Sequence, residues 1–66
     1  MEKEKYTLVG VDGNAFSVMG YVLKAMKREH CTKEEIDAYT KDAMSSDYYH
    51  LLSVSHATLE ALNEEN

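Results

Sequence analysis

Apolar side chains recur at spacings of three and four in three stretches of this chain, a pattern typical of amphipathic helices. The first stretch predicts a helix over residues 15–30 with seven apolar side chains on one face. They are Phe16, Val18, Met19, Val22, Leu23, Ala25 and Met26. Gly20 lies inside this helix, where glycine costs about 1 kcal/mol relative to alanine. We therefore expect another segment to pack closely against Gly20.

Two further helices are predicted, over residues 33–44 and 47–63, and tight connections join all three. The inner face of the second helix consists of Ile36, Tyr39, Ala43 and Met44, with Thr40 beside it. The apolar positions of the third helix are Tyr48, Leu51, Leu52, Ser55, Leu59 and Leu62. Three such helices with short connections favour a small helical bundle.

Start signals precede each predicted helix. Asn14 is a good N-cap because its side-chain oxygen can accept a hydrogen bond from the first free backbone N–H groups. Thr32 followed three residues later by Glu35 has the spacing of a capping box. The polar run Ser45-Ser46-Asp47 interrupts the apolar pattern and offers a cap for the third helix.

The residues before the first helix predict a short extended arm and a turn over residues 6–13. Residues 6–11 read Tyr-Thr-Leu-Val-Gly-Val and are rich in β-branched and aromatic side chains. No second strand-like run follows, so this arm either packs over the helices or pairs with another copy of itself. Residues 12–14, Asp-Gly-Asn, predict the turn. The alternating Glu and Lys of residues 1–5 are expected to fray.

The length of 66 residues allows a single small domain. The predicted fold is therefore mainly α: a compact three-helix domain with a short extended N-terminal arm. The net charge of −5 disfavours non-specific binding to nucleic acid. Lys24, Lys27 and Arg28 form a basic cluster, but cations near the end of a helix also complement its dipole.

The sequence contains no readable membrane or export signal. No apolar run approaches the roughly 20 residues needed to cross a bilayer, and Met-Glu-Lys-Glu-Lys lacks the apolar core of a signal peptide. The single cysteine, Cys31, cannot form an intramolecular disulfide. These features together predict a cytoplasmic protein.

Candidate chemical sites are poorly supported by their spacing. The turn at residues 10–14 lacks the phosphate-binding pattern, and Asp12 would repel an anion. As a calcium loop it would need an acidic ligand where Leu23 stands. The possible metal ligands His30, Cys31, His50 and His56 do not have the spacing for chelation on a helix. We expect no cofactor, no metal, no small-molecule substrate and no enzymatic activity.

Residues 8–20 resemble a group of small uncharacterised proteins encoded by phages, plasmids and integrated elements of Firmicutes. The shared pattern is Leu-x-Gly-x-Asp-Gly-Asn-x-Phe-x-x-Met-Gly, carried here by Leu8, Gly10, Asp12, Gly13, Asn14, Phe16, Met19 and Gly20. Residues 33–38 and 43–52 are also similar. Relatives often carry glycine at the position of Ser46, so Ser46 predicts a connection without a positive φ. The resemblance implies a bacterial or phage cytoplasmic setting and implies no activity.

The chain has five tyrosines but no tryptophan and one phenylalanine. Tyrosine is enriched at protein interfaces, and adjacent Tyr48 and Tyr49 cannot both face one small core. The candidate contact residues are Tyr6, Leu8, Tyr21, Tyr48 and Tyr49. We expect a non-catalytic interaction module that binds an unidentified protein or itself. The alternative is a regulatory nucleic-acid-associated protein or an acidic nucleic-acid mimic encoded by a mobile element.

Overall fold

A computed structural model describes residues 5–64 as three helices connected by short loops. Helix α1 spans Ala15–Arg28, α2 spans Lys33–Ala43 and α3 spans Tyr48–Glu64. The mainly-α three-helix architecture is confirmed, and each boundary lies within two residues of its predicted position. No strand occurs within residues 5–64.

The predicted caps are present at the start of all three helices. The Asn14 side chain accepts from the backbone N–H of Phe16 at 2.9 Å. Thr32 and Glu35 form the reciprocal capping box. Asp47 caps α3, because its carboxylate accepts from the backbone N–H of His50 at 3.0 Å. These side chains satisfy donors that a helix start leaves without partners inside the helix.

Helix α1 ends two residues earlier than predicted because His30 adopts a left-handed conformation with φ of 63°. The N–H of His30 donates to Lys27 O, and the N–H of Cys31 donates to Met26 O. This pair of bonds is the Schellman motif, in which the left-handed position is usually glycine. Among residues 5–64, only His30 and Gly10 have positive φ, so Ser46 lies in an ordinary conformation, as predicted.

The core lies between α3 and the inner faces of α1 and α2, and α3 packs on both of the other helices. Its buried apolar side chains are Tyr6, Val18, Met19, Val22, Ala25, Met26, Tyr39, Ala43, Leu51, Leu59 and Leu62. One buried polar pair joins two helices: the hydroxyls of Tyr39 and Ser55 lie 2.6 Å apart. The principal extents of 35 × 26 × 15 Å describe a thin domain, so every helix keeps a face in solvent.

Three sequence predictions about packing are wrong. Phe16, predicted in the core stripe of α1, is 76% exposed, because at 3.6 residues per turn it lies about 120° around the helix from Val22, at the middle of the buried face. Met44 follows the last residue of α2 and is 60% exposed. Gly20 has no close neighbour, since a Cβ atom built there would have no atom within 4 Å.

The segment before α1 is a turn rather than a strand. The N–H of Val11 donates to Leu8 O at 3.0 Å, and Gly10 between them has φ of 85°. That positive φ at the third position of a four-residue turn favours glycine and interrupts the extended run. The N–H of Thr7 donates to the Tyr21 hydroxyl at 3.2 Å. The arm therefore packs over its own helices, the first of the two alternatives left open by the sequence.

Tyr6 attaches the arm to the ends of α1 and α3. Its backbone N–H donates to the Asn63 side-chain oxygen, and the Asn63 amide donates back to Tyr6 O, both at 2.8 Å. Its hydroxyl donates to the Glu29 carboxylate, which also pairs with Lys5 at 2.8 Å. Lys5 thus has a defined partner, whereas the rest of the predicted frayed segment, residues 1–4, lies outside the described residues.

None of the helices within residues 5–64 is both long enough and apolar enough to cross a membrane.

Candidate functional site

The surface of the described residues carries a group of large exposed apolar side chains at one end of the bundle. We call it the apolar patch and define it as Phe16, Met44, Tyr48 and Tyr49. Tyr49 is 78% exposed and Tyr48 is 39% exposed. Their rings meet edge to face with centroids 6.3 Å apart. Aromatic side chains and methionine are the types enriched at protein interfaces.

Three helix ends bring the patch together. Phe16 lies in the first turn of α1, Met44 directly follows α2, and Tyr48 and Tyr49 begin α3. The Tyr48 hydroxyl donates to the carbonyl of Gly13. This bond ties the start of α3 to the turn before α1 and orients the ring of Tyr48. The patch is therefore built on helix ends that are capped and held together, rather than on a loop.

A cavity of about 260 Å³ opens among three of the patch residues, Phe16, Met44 and Tyr48. Its lining residues come from all three helices and the connection between α2 and α3. They are Ala15, Phe16, Met19, Ala43, Met44, Ser46, Asp47, Tyr48 and Leu51. The cavity is smaller than the roughly 300–1,000 Å³ of typical small-molecule sites. Its size and apolar lining suit one inserted side chain.

The exposed area of the patch is large for a domain of this size. At about 150–250 Å² for a side chain of this size, the exposed fractions of the four residues amount to roughly 400–600 Å². The largest apolar patch of an ordinary monomer is about 300–600 Å² and often has a function. A patch of this size on a chain of only 66 residues is therefore a candidate contact surface.

One acidic side chain lines the cavity, and two others are sequence neighbours of residues that build the patch. Asp47 lines the cavity itself. Asp42 directly precedes Ala43, which lines the cavity, and the Asp42 carboxylate lies 3.0 Å from the His50 ring nitrogen. Asp12 is exposed and directly precedes Gly13, whose carbonyl accepts the hydrogen bond from the Tyr48 hydroxyl. The Asp42 hydrogen bond raises the pKa of His50 above its ordinary value.

Basic side chains are absent from both sequence segments that form the patch. Residues 6–23 and 42–64 contain no Lys or Arg. Lys41 is the basic residue nearest to Met44 in sequence. It lines a different depression on the outer face of α2, together with Glu34 and Asp37. The patch thus combines an apolar centre with an acidic edge.

Two other depressions flank the arm. The wider one, about 690 Å³, lies between the arm and α1 and has Gly20 in its lining and Val9 at its edge. The smaller one, about 120 Å³, is lined in part by Lys5, Lys24 and Arg28. Two residues of the predicted basic cluster, Lys24 and Arg28, therefore lie beside the arm, near the end of α1.

The five predicted contact residues fall into two groups. Tyr48 and Tyr49 belong to the apolar patch and are exposed. Tyr6 is buried, and Leu8 and Tyr21 are partly buried against the core. Because these last three side chains hold the arm on the bundle, they are less accessible to a partner than the two tyrosines of α3.

Sequence reasoning missed Phe16 and Met44 as surface residues. Both match the helical spacing of a core stripe, and that spacing carries no information about where a helix ends. One signal was available for Phe16. Its angular position, about 120° around the helix from Val22 at 3.6 residues per turn, lies outside a narrow apolar stripe centred on Val22.

The buried polar groups of the core have structural partners. Burial raises the pKa of the Tyr39 phenol, and the Ser55 bond opposes that shift. The hydrogen bond to Glu29 is the main cause of the raised pKa of Tyr6. Within residues 5–64, no group of three or more His, Cys, Asp or Glu side chains is placed to hold a metal ion.

A scan against protein-family models and searches of curated proteins and of solved structures found no match for this chain.

Proposed function

We propose that this protein is a non-catalytic interaction module and that the apolar patch is its contact surface. The proposal rests on two exposed aromatic side chains: Phe16, which is 76% exposed and lines a cavity that suits one side chain, and Tyr49, which is 78% exposed and whose ring meets that of Tyr48 in the cavity lining. Exposed aromatic groups lower solubility unless a partner covers them. The resemblance to proteins of mobile elements would place the module in a bacterial or phage-infected cytoplasm.

The expected interaction is weak and reversible. A standard interface buries about 800 Å² on each partner, whereas the patch offers roughly 400–600 Å². Complexes with such small interfaces are typical of transient regulatory contacts. Met44 suits this role because its unbranched side chain adapts to differently shaped partners.

The proposal can be tested by selecting binders from a library of displayed random peptides. We expect enriched peptides to bind the wild type and to lose binding to a Phe16→Ser, Tyr49→Ser variant. Val9→Ser is a matched control, because Val9 is 86% exposed and lies on the arm outside the patch. No enrichment, or equal binding to the double variant, would refute the proposal. Light scattering over a concentration series would show whether the patch instead joins two copies.

A second candidate function, association with nucleic acid, is favoured by one observation only. Lys5, Lys24 and Arg28 line the same small depression. Binding through these cations would depend on counterion release. It predicts a mobility shift of random duplex DNA at low salt that is lost in a Lys24→Gln, Arg28→Gln variant. The absence of any shift would exclude direct binding.

A further inference from the structure

We propose that the apolar patch binds a basic partner segment, in which one apolar side chain enters the cavity and flanking Lys or Arg side chains meet the carboxylates at its edge. This inference rests on the proposed function and specifies the chemistry of the partner. It depends on the combination of apolar centre and acidic edge described above, and on the location of the basic side chains elsewhere.

The carboxylates at the edge differ in their availability to a partner. Asp47 lines the cavity, and one of its oxygens caps α3 through the N–H of His50. Asp42 is 58% exposed and pairs with the His50 ring. A carboxylate has room for about four hydrogen bonds, so each can still accept from an incoming Lys or Arg.

The helix ends at the patch do not favour an anionic partner. The starts of α1 and α3 carry partial positive charge, but each is already capped by a side chain of this protein. Asn14 accepts from Phe16 N, and Asp47 accepts from His50 N. The end of α2, with its partial negative charge, lies beside Met44. The preference for a cation therefore rests on the carboxylates, since the dipoles of two helix starts and one helix end do not add to it.

The same charges disfavour a second copy of this chain as the occupant. A two-fold dimer would place each patch against an identical patch. It would bring Asp42 and Asp47 of one copy near those of the other, and like charges at an interface oppose association. Each copy also carries a net charge of −5. A basic segment avoids this repulsion and neutralises the acidic edge.

Two synthetic peptides of about 12 residues provide the test. Both carry leucines on one helical face, and they differ only in having Lys or Glu at the flanking positions. Fluorescence anisotropy with labelled peptides measures their affinity for the full chain. We expect the Lys peptide to bind at least about tenfold more tightly at low salt, and added salt to reduce that ratio.

Charge-neutralising variants show whether the edge of the patch causes the preference. Asp47→Asn retains the N-cap, since asparagine caps as well as aspartate. We expect this substitution to weaken the binding of the Lys peptide by about two- to fivefold, which is the effect of one exposed ion pair. Asp37→Asn is the matched control, because it removes the same charge from the outer face of α2. Phe16→Ala should abolish binding of the Lys peptide.

The outcomes separate the inference from the proposed function. Equal or tighter binding of the Glu peptide would overturn the inference, as would an equal effect of Asp37→Asn and Asp47→Asn. A dimer that depends on Phe16, or a set of displayed peptides without basic residues, would also overturn it while leaving the interaction module intact. If neither the peptides nor the display library gave binding that depends on the patch, the proposed function would fail and the inference with it.

Discussion

Replacing Phe16 with alanine should have little effect on stability, although the sequence pattern places Phe16 in the core stripe. About a quarter of the residue is covered, since it is 76% exposed. A buried aromatic side chain covers about 200 Å², so this quarter is roughly 50 Å², or about 1 kcal/mol at ~25 cal/mol/Å². Alanine regains about 0.5 kcal/mol through its higher helix propensity. The expected net loss is therefore about 0.5–1 kcal/mol.

Val22→Ala on the same helix is the matched core substitution. Val22 is fully buried, and losing its two methyl groups should cost about 2 kcal/mol including the cavity. Thermal unfolding followed by circular dichroism separates the two variants, because 1 kcal/mol shifts the Tm of a domain this small by about 4–8 °C. The reasoning fails if Phe16→Ala lowers the Tm as much as Val22→Ala. A core phenylalanine would instead cost about 3–5 kcal/mol.

Three further predictions concern the described side-chain bonds and backbone. Tyr39→Phe or Ser55→Ala alone should lower the free energy of unfolding by about 1–3 kcal/mol, because each leaves one buried hydroxyl without a partner. The double variant should be closer in stability to the wild type. Additive losses of stability in urea unfolding would contradict this coupling. His30→Gly should stabilise the domain by up to about 1 kcal/mol, because φ of 63° strains every residue except glycine, and an unchanged or lower Tm would count against it. Asp42 raises the pKa of His50 in the folded state, so this pair stabilises the fold below the unfolded pKa of about 6.5 and the effect is lost as pH rises through the folded pKa. The destabilisation caused by His50→Gln should therefore be larger at about pH 5.5 than at about pH 8.5, and a pH-independent difference would exclude the ion pair as its cause.

The helices could be predicted because local signals suffice for them. Asn14 and the Thr32–Glu35 capping box mark helix starts by hydrogen bonds between near neighbours, and such bonds depend on few residues. The end of α1 was harder to locate. A glycine would have marked it, but His30 occupies the left-handed position, and histidine gives no such signal.

The arm and the apolar patch could not be predicted because both depend on contacts between distant residues. Tyr6 is buried through bonds to Asn63 and Glu29, which no local pattern reveals. An apolar run such as residues 6–11 is compatible with a strand, but the positive φ of Gly10 makes it a turn. The exposure of one of the two adjacent tyrosines could be predicted, since one helix cannot bury both in a small core, and the structure exposes both Tyr48 and Tyr49.

The position of the patch explains why the chain itself does not cover it. The starts of α1 and α3 meet the end of α2 there, and no described segment extends beyond these three ends to pack on Phe16. Asn14 caps α1 two residues before Phe16, so the ring lies in the first turn. Its angular position there, about 120° from Val22, directs it away from the buried face of the helix. A partner can therefore cover the ring without changing the fold.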